Sequence, residues 1–136
     1  MKRILIVEDN VSNAEVITAI FDEEGFETKT LLVVDDLFST ISIFKPDLIL
    51  MDIKLQNADG RVLCNEIKAN PDMEHIFIIL MTATLMHNYK NIPCEPDLLV
   101  TKPFDVYQLT DQIKALAHHW KMSGYSGSYL VKRIAL

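Results

Sequence analysis

Several short runs in this chain are apolar at every position, among them Ile4–Val7, Leu48–Met51, Ile76–Met81 and Leu98–Val100. A strand with one wet face alternates apolar and polar residues, whereas a strand apolar throughout is covered on both faces. These runs therefore predict an inner sheet held between two other layers. A further strand is predicted at Glu27–Val34, with Thr28, Thr30 and Leu32 on one face.

The segments between the runs carry helical spacing. Ala14, Ile17, Ile20 and Phe21 recur by threes and fours after caps at Asn10 or Ser12, and Gly25 follows as the residue past the helix end. Leu37, Ile41 and Phe44 form a second stripe, opened by Asp35 or Asp36 and broken at Lys45-Pro46-Asp47. Val62–Ala69 is a third helix, stopped at Asn70-Pro71. Thr84–Asp97 holds Pro93 and Pro96, so a helix there is short and ends near Asn91. Val106, Leu109, Ile113, Leu116 and Trp120 define a last helix, capped by Asp105. The order is strand then helix, five times over. Such alternation implies a parallel five-stranded sheet with right-handed crossovers and helices on both faces, a three-layer α/β sandwich.

With 136 residues the chain has the length of one domain. We place that domain at residues 1–121 and a C-terminal tail at 122–136. The tail starts as a Ser/Gly-rich hinge around residues 123–128 and ends in a short apolar segment with Lys132-Arg133. It is expected to be either a linker remnant or a homodimerisation element. The net charge of -6 and pI near 5.1 argue against binding nucleic acid or an anionic membrane. No apolar run approaches the length of a membrane span, and Ile4–Val7 is too short for a secretory signal. The two cysteines, Cys64 and Cys94, lack metal-ligand spacing. A cytoplasmic, reducing location is expected.

In open parallel sheets ligands bind beyond the carboxyl ends of the strands. The residues there are Glu8-Asp9 after the first strand, Asp52 after the third, Thr82 after the fourth and Lys102-Pro103 after the fifth. Any one of them alone reads as a helix cap or a turn residue. Together they bring three carboxylates, a hydroxyl and an ammonium to one edge of an apolar sheet. Two carboxylates about 4 Å apart repel by roughly 4 kcal/mol at an effective dielectric near 20. Three therefore call for a shared proton or a hard divalent cation such as Mg²⁺, which accepts oxygen ligands and is often shared with phosphate. A carboxylate can itself attack phosphorus and become an acyl phosphate. Lys102 and Thr82 are placed to offset charge on the phosphoryl oxygens, and the carbonyl of Lys54 is a further candidate oxygen.

At these residues the sequence resembles the receiver domains of two-component response regulators, of the single-domain, chemotaxis-response-regulator kind. The strings that carry the resemblance are Ile4-Leu5-Ile6-Val7-Glu8-Asp9-Asn10, Pro46-Asp47-Leu48-Ile49-Leu50-Met51-Asp52-Ile53, Asp59-Gly60, Thr82-Ala83 and Lys102-Pro103-Phe104. They span about residues 2 to 121. The resemblance implies a flavodoxin-like (βα)5 fold with strand order 2-1-3-4-5, an order that periodicity does not supply. It implies that Asp52 accepts phosphate from a histidine kinase or histidine phosphotransfer protein. It also implies that Asp9, Asp52 and the Lys54 carbonyl bind Mg²⁺, with Glu8 helping through water. Thr82 becomes the switch hydroxyl, Lys102 the phosphate contact, and the Lys102–Pro103 peptide is expected to be cis. Partners would dock on the first helix, and downstream protein targets on the face of the fifth strand and the last two helices. The implied activity is phosphorelay signalling, with at most slow self-dephosphorylation as enzymatic character.

Two positions depart from the family pattern. Leu99 stands where receivers carry Tyr or Phe as the rotating partner of the switch hydroxyl, and Gln56 stands where Pro is common. Leu has neither hydroxyl nor flat ring, so an aromatic switch is not implied. A phosphorylation-independent interaction module is therefore a second reading. A phosphohydrolase with an Asp nucleophile is a third; the haloacid-dehalogenase pattern for it wants Asp-x-Asp after the first strand, where this chain has Glu8-Asp9.

Overall fold

A computed structural model describes residues 2–83 and 91–123, the last seven of these as helix backbone. The element order is β1 (Arg3–Val7), α1 (Val11–Glu23), β2 (Glu27–Leu31), α2 (Leu37–Phe44), β3 (Leu48–Asp52), β4 (Lys54–Leu55), β5 (Ala58–Asp59), α3 (Gly60–Ala69), β6 (Phe77–Thr82), β7 (Leu98–Thr101) and α4 (Val106–Ser123). The main sheet is parallel throughout, in the order β2-β1-β3-β6-β7. With the small β4–β5 hairpin left out of the count, this is the flavodoxin-like order 2-1-3-4-5.

The apolar runs divide by alternation between two cores. Ile4, Ile6, Leu48, Leu50, Phe77, Ile79 and Met81 face α1 and α4, where they meet Ile17, Phe21, Leu109, Ile113 and Leu116. Leu5, Val7, Ile49, Met51, Ile78 and Leu80 face α2 and α3, against Leu37, Ile41, Cys64 and Ile67. Each residue of β3 and β6 is buried because both faces are roofed, which is why these strands lack polar alternation.

Local chemistry sets the helix ends. Asn10, of the two candidates, caps α1: its side chain accepts from the Asn13 N–H. Gly25 follows that helix with φ +95, a conformation that costs glycine little. Asp36 occupies the cap position of α2 without a side-chain bond to the helix, and Lys45 ends that helix in the left-handed region. Asp105 accepts from the N–H groups of Tyr107 and Gln108 at the start of α4.

Several sequence expectations need correction. β2 ends at Leu31, not Val34, and Leu32 and Val33 are exposed. The reason is its partner: β2 is an edge strand paired with β1, and the register ends at Val7↔Leu31. α3 begins at Gly60 rather than Val62, because Asp59 accepts from the Arg61 N–H and caps it there. The β4–β5 hairpin was not expected; Asn57, at φ 63, supplies its turn. The short helix predicted within Thr84–Asp97 falls mostly outside the described residues, as do the tail beyond Ser123 and the side chain of Trp120. No helix among the described residues is long and apolar enough to cross a membrane.

Candidate functional site

The site lies where chain direction across the sheet reverses. From β1 the chain runs outward to β2, and β3 lies on the other side of β1. The β1–β3 register ends Val7↔Met51, so the next residues, Glu8 and Asp52, come side by side at the carboxyl edge. Asp9 joins them: one oxygen from each of Glu8, Asp9 and Asp52 lies within 4.8 Å of the others. Glu8 and Asp52 are buried, and Asp9 is half-buried.

Lys102 closes the cluster from the end of β7. Its Nζ donates to Asp52 Oδ2 at 2.8 Å and reaches Glu8 Oε1 at 3.4 Å. Its backbone N–H donates to the Thr82 carbonyl at 2.7 Å, which fixes where the side chain leaves the sheet. The Lys102–Pro103 peptide is cis. Thr82 is buried at the end of β6, opposite Thr101. Leu99 sits lower on β7, paired with Leu80 and half-buried against the α2–α3 core. The structure thus brings Glu8, Asp9, Asp52 and Lys102 together, sets Thr82 on the same edge, and leaves Leu99 outside the carboxylate cluster.

Burial pushes the Glu8 carboxyl above the ordinary carboxylate range, and the adjoining Asp52 carboxylate pushes it further; the Asn13 amide and Lys102 pull the other way. Burial works against the Lys102 ammonium, but Asp52 and then Glu8 outweigh it and hold its pKa above the ordinary value. Glu8 Oε2 is buried with no hydrogen-bond partner among the described residues. A buried, unpartnered carboxylate oxygen beside two more carboxylates is what a hard cation or its bound water satisfies. The all-oxygen donor set suits Mg²⁺ or a similar ion.

Sequence reasoning missed three supporting contacts. The Asn13 side-chain amide donates to Glu8 Oε1 at 2.9 Å. The Gln56 N–H, at the turn of the β4–β5 hairpin, donates to Asp9 Oδ2 at 3.0 Å. Gly60 donates its N–H to the Ile53 carbonyl at 2.7 Å and lies directly against the backbone of Asp52. Asn13 and Gln56 leave no periodic signal. The Asp59-Gly60 pair was visible only as part of the family strings. Lys54 touches the site through its N–H, which lies 3.3 Å from Asp52 Oδ1.

Comparison with known proteins agrees with this geometry. The profile of the response regulator receiver domain matches residues 4–114. The transcriptional regulatory protein YclJ of Bacillus subtilis is 34% identical over 126 residues, 90% of this chain and 53% of that protein. The phosphate regulon transcriptional regulatory protein PhoB of Rhizobium meliloti is 28% identical over 89% of this chain and 54% of its own length. The chain thus spans about half the length of the curated relatives it matches. Among solved structures, the signal receiver domain of a signal transduction histidine kinase from Syntrophus aciditrophicus superposes with a TM-score of 0.77 at 31% identity, covering 85% of this chain and 89% of that one. The response regulator TrrA of Thermotoga maritima, solved in complex with Mg(2+)-BeF, gives a TM-score of 0.73 at 27% identity, over 85% of this chain and 98% of that one. An apolar parallel sheet, an acidic edge and a profile that spans most of the chain converge: this protein belongs to the response regulator receiver domain family.

Proposed function

We propose that Asp52 is the phosphoacceptor of this receiver, taking its phosphoryl group from a histidine kinase or a histidine phosphotransfer protein. The observation that carries the reading is the 2.8 Å contact of Lys102 Nζ with Asp52 Oδ2 inside a cluster of three carboxylates. A carboxylate oxygen of Asp52 forms the new O–P bond. The P–N bond of the donor phosphohistidine breaks, and its electron pair returns to the imidazole, which takes up a proton. Lys102 balances charge on the acyl phosphate, and the Thr82 hydroxyl donates to one of its oxygens. When bound, Mg²⁺ held by Asp9, Asp52 and the Lys54 carbonyl, with Glu8 acting through water, neutralises charge on the carboxylates and phosphoryl oxygens.

The output is protein–protein contact with a downstream target, and the acidic charge of -6 speaks against direct nucleic-acid binding by this domain. No turnover beyond slow self-dephosphorylation is proposed, and the setting is the cytoplasm. The donor docks beside the site on α1, where Asn13, Val16 and Ile17 share a cleft with Lys102 and Phe104.

Incubation with Mg²⁺ and acetyl phosphate, followed by intact mass measurement, tests the chemistry. A single phosphoryl adduct is expected for wild type and none for Asp52→Asn. An unmodified wild type, with acetyl phosphate and with a phosphorylated kinase alike, would sink the proposal.

Leu99 favours a second reading, an interaction module that works without phosphorylation. Partner binding that is the same for wild type, phosphorylated protein and Asp52→Asn would select it.

A further inference from the structure

Glu8 has two carboxylate oxygens in different circumstances. Oε1 accepts from Asn13 Nδ2 at 2.9 Å, with Lys102 Nζ at 3.4 Å. Oε2 is buried and has no partner among the described residues. The last torsion of a Glu side chain is broad, so burial alone does not decide the plane of the carboxylate. A donor fixed on one oxygen does decide it. Asn13 is well suited to that task. It lies in the first turn of α1, and its own N–H is tied to Asn10 Oδ1 at 3.0 Å. Its amide is neutral. A cation here would compete with a bound metal and with Lys102, and a fourth carboxylate would add repulsion.

We propose that Asn13 is a positioning residue of the site, whose side-chain amide holds Glu8 with Oε2 turned into the space shared with Asp9 and Asp52, so that this oxygen receives a divalent cation's bound water. The inference rests on the Mg²⁺-binding reading above. Outer partners that orient the groups around a metal typically change affinity by about 10- to 100-fold. Because Glu8 acts here through water, the low end of that range is expected.

A structural role for Asn13 is separable from this one. The cap of α1 uses the backbone N–H of Asn13, not its side chain, and the side chain sits at the exposed rim. Asn13→Ala therefore keeps the cap and places a good helix former in the first turn.

Isothermal titration with MgCl₂ alone, at fixed pH and ionic strength, tests the proposal on wild type, Asn13→Ala, Glu8→Gln and the double variant. Asn13→Ala is expected to bind about tenfold more weakly than wild type, with an ion-free melting temperature lowered only as far as the loss of one hydrogen bond requires. In the Glu8→Gln background the same substitution is expected to add nothing, because its effect runs through Glu8. Wild-type affinity in Asn13→Ala, equal losses in both backgrounds, or a lowered ion-free melting temperature with unchanged affinity would each overturn it. A wild type that binds no Mg²⁺ would overturn the metal reading itself. Loss of the acetyl phosphate adduct with normal Mg²⁺ binding would overturn phosphoacceptance alone.

Discussion

Gly60 and Asp52 pack backbone to backbone: a Cβ on Gly60 would strike the carbonyl oxygen of Asp52 and come within 3.0 Å of the Ile53 Cα. Glycine is needed here for close approach, since the obstacle is main chain of the strand that carries Asp52. Gly60→Ala should cost about 2–3 kcal/mol, in the range of overpacking a well-filled core. Urea unfolding measures that loss. The acetyl phosphate adduct should also form more slowly, because any relief shifts the backbone of Asp52.

Asp97 ties together the other end of β6 and β7. Its side chain accepts from the Ile78 N–H at 2.8 Å and from Lys68 Nζ at 2.6 Å, and it is 3% exposed. Asp97→Ala strands a buried N–H and removes both bonds, so a loss of about 3 kcal/mol is expected by denaturant titration. Asp97→Asn retains an acceptor for Ile78 and should lose clearly less. Equal losses for the two variants would contradict this account.

Asp47 predicts an acid-side dependence. Partial burial works to raise its pKa, but the backbone N–H groups of Arg3 and Lys2 outweigh burial and hold the carboxyl below its ordinary value of 3.8. A depressed folded pKa means stability that is present above the unfolded value and lost as pH falls through the folded one. Stability should therefore decline as pH drops below about 4. Asp59, held low by Arg61, contributes in the same window. The difference between wild-type and Asp47→Asn melting curves against pH isolates Asp47: the two should diverge at neutral pH and converge at the acid end.

The cysteines should differ in reactivity. Burial pushes the Cys64 thiol up to about 12, so it presents almost no thiolate at neutral pH. Cys94 is only partly buried. Alkylation of the native protein, mapped by peptide mass, should label Cys94 and spare Cys64, and denaturant should expose both. Fast labelling of native Cys64 would show that the α2–α3 core opens readily.

Much of this molecule was legible in its sequence. β3 and β6 could be read because a strand roofed on both sides has to be apolar at every position. The carboxylates could be read because Glu8, Asp9 and Asp52 interrupt that apolarity at its edge. Where the reading erred, the deciding partner lay elsewhere in the chain. β2 stops at Leu31 because β1 stops opposite it, and nothing within Leu32–Val34 records that. The β4–β5 hairpin is two residues a strand, too short for any period to show.

The sequence by itself determined the layers, the longer strands and helices and the acidic edge, since each follows from local composition and repeat. Only the tertiary structure decided how that edge is held. Asn13 on Glu8, the Gln56 N–H on Asp9, Lys102 on Asp52 and the bare face of Gly60 are contacts between residues distant in the chain or set by a turn. The physical reason is range. Hydrophobic burial is nondirectional and leaves a periodic trace in each segment, whereas a hydrogen bond or a backbone contact exists only at a particular distance and angle, which the assembled fold alone sets.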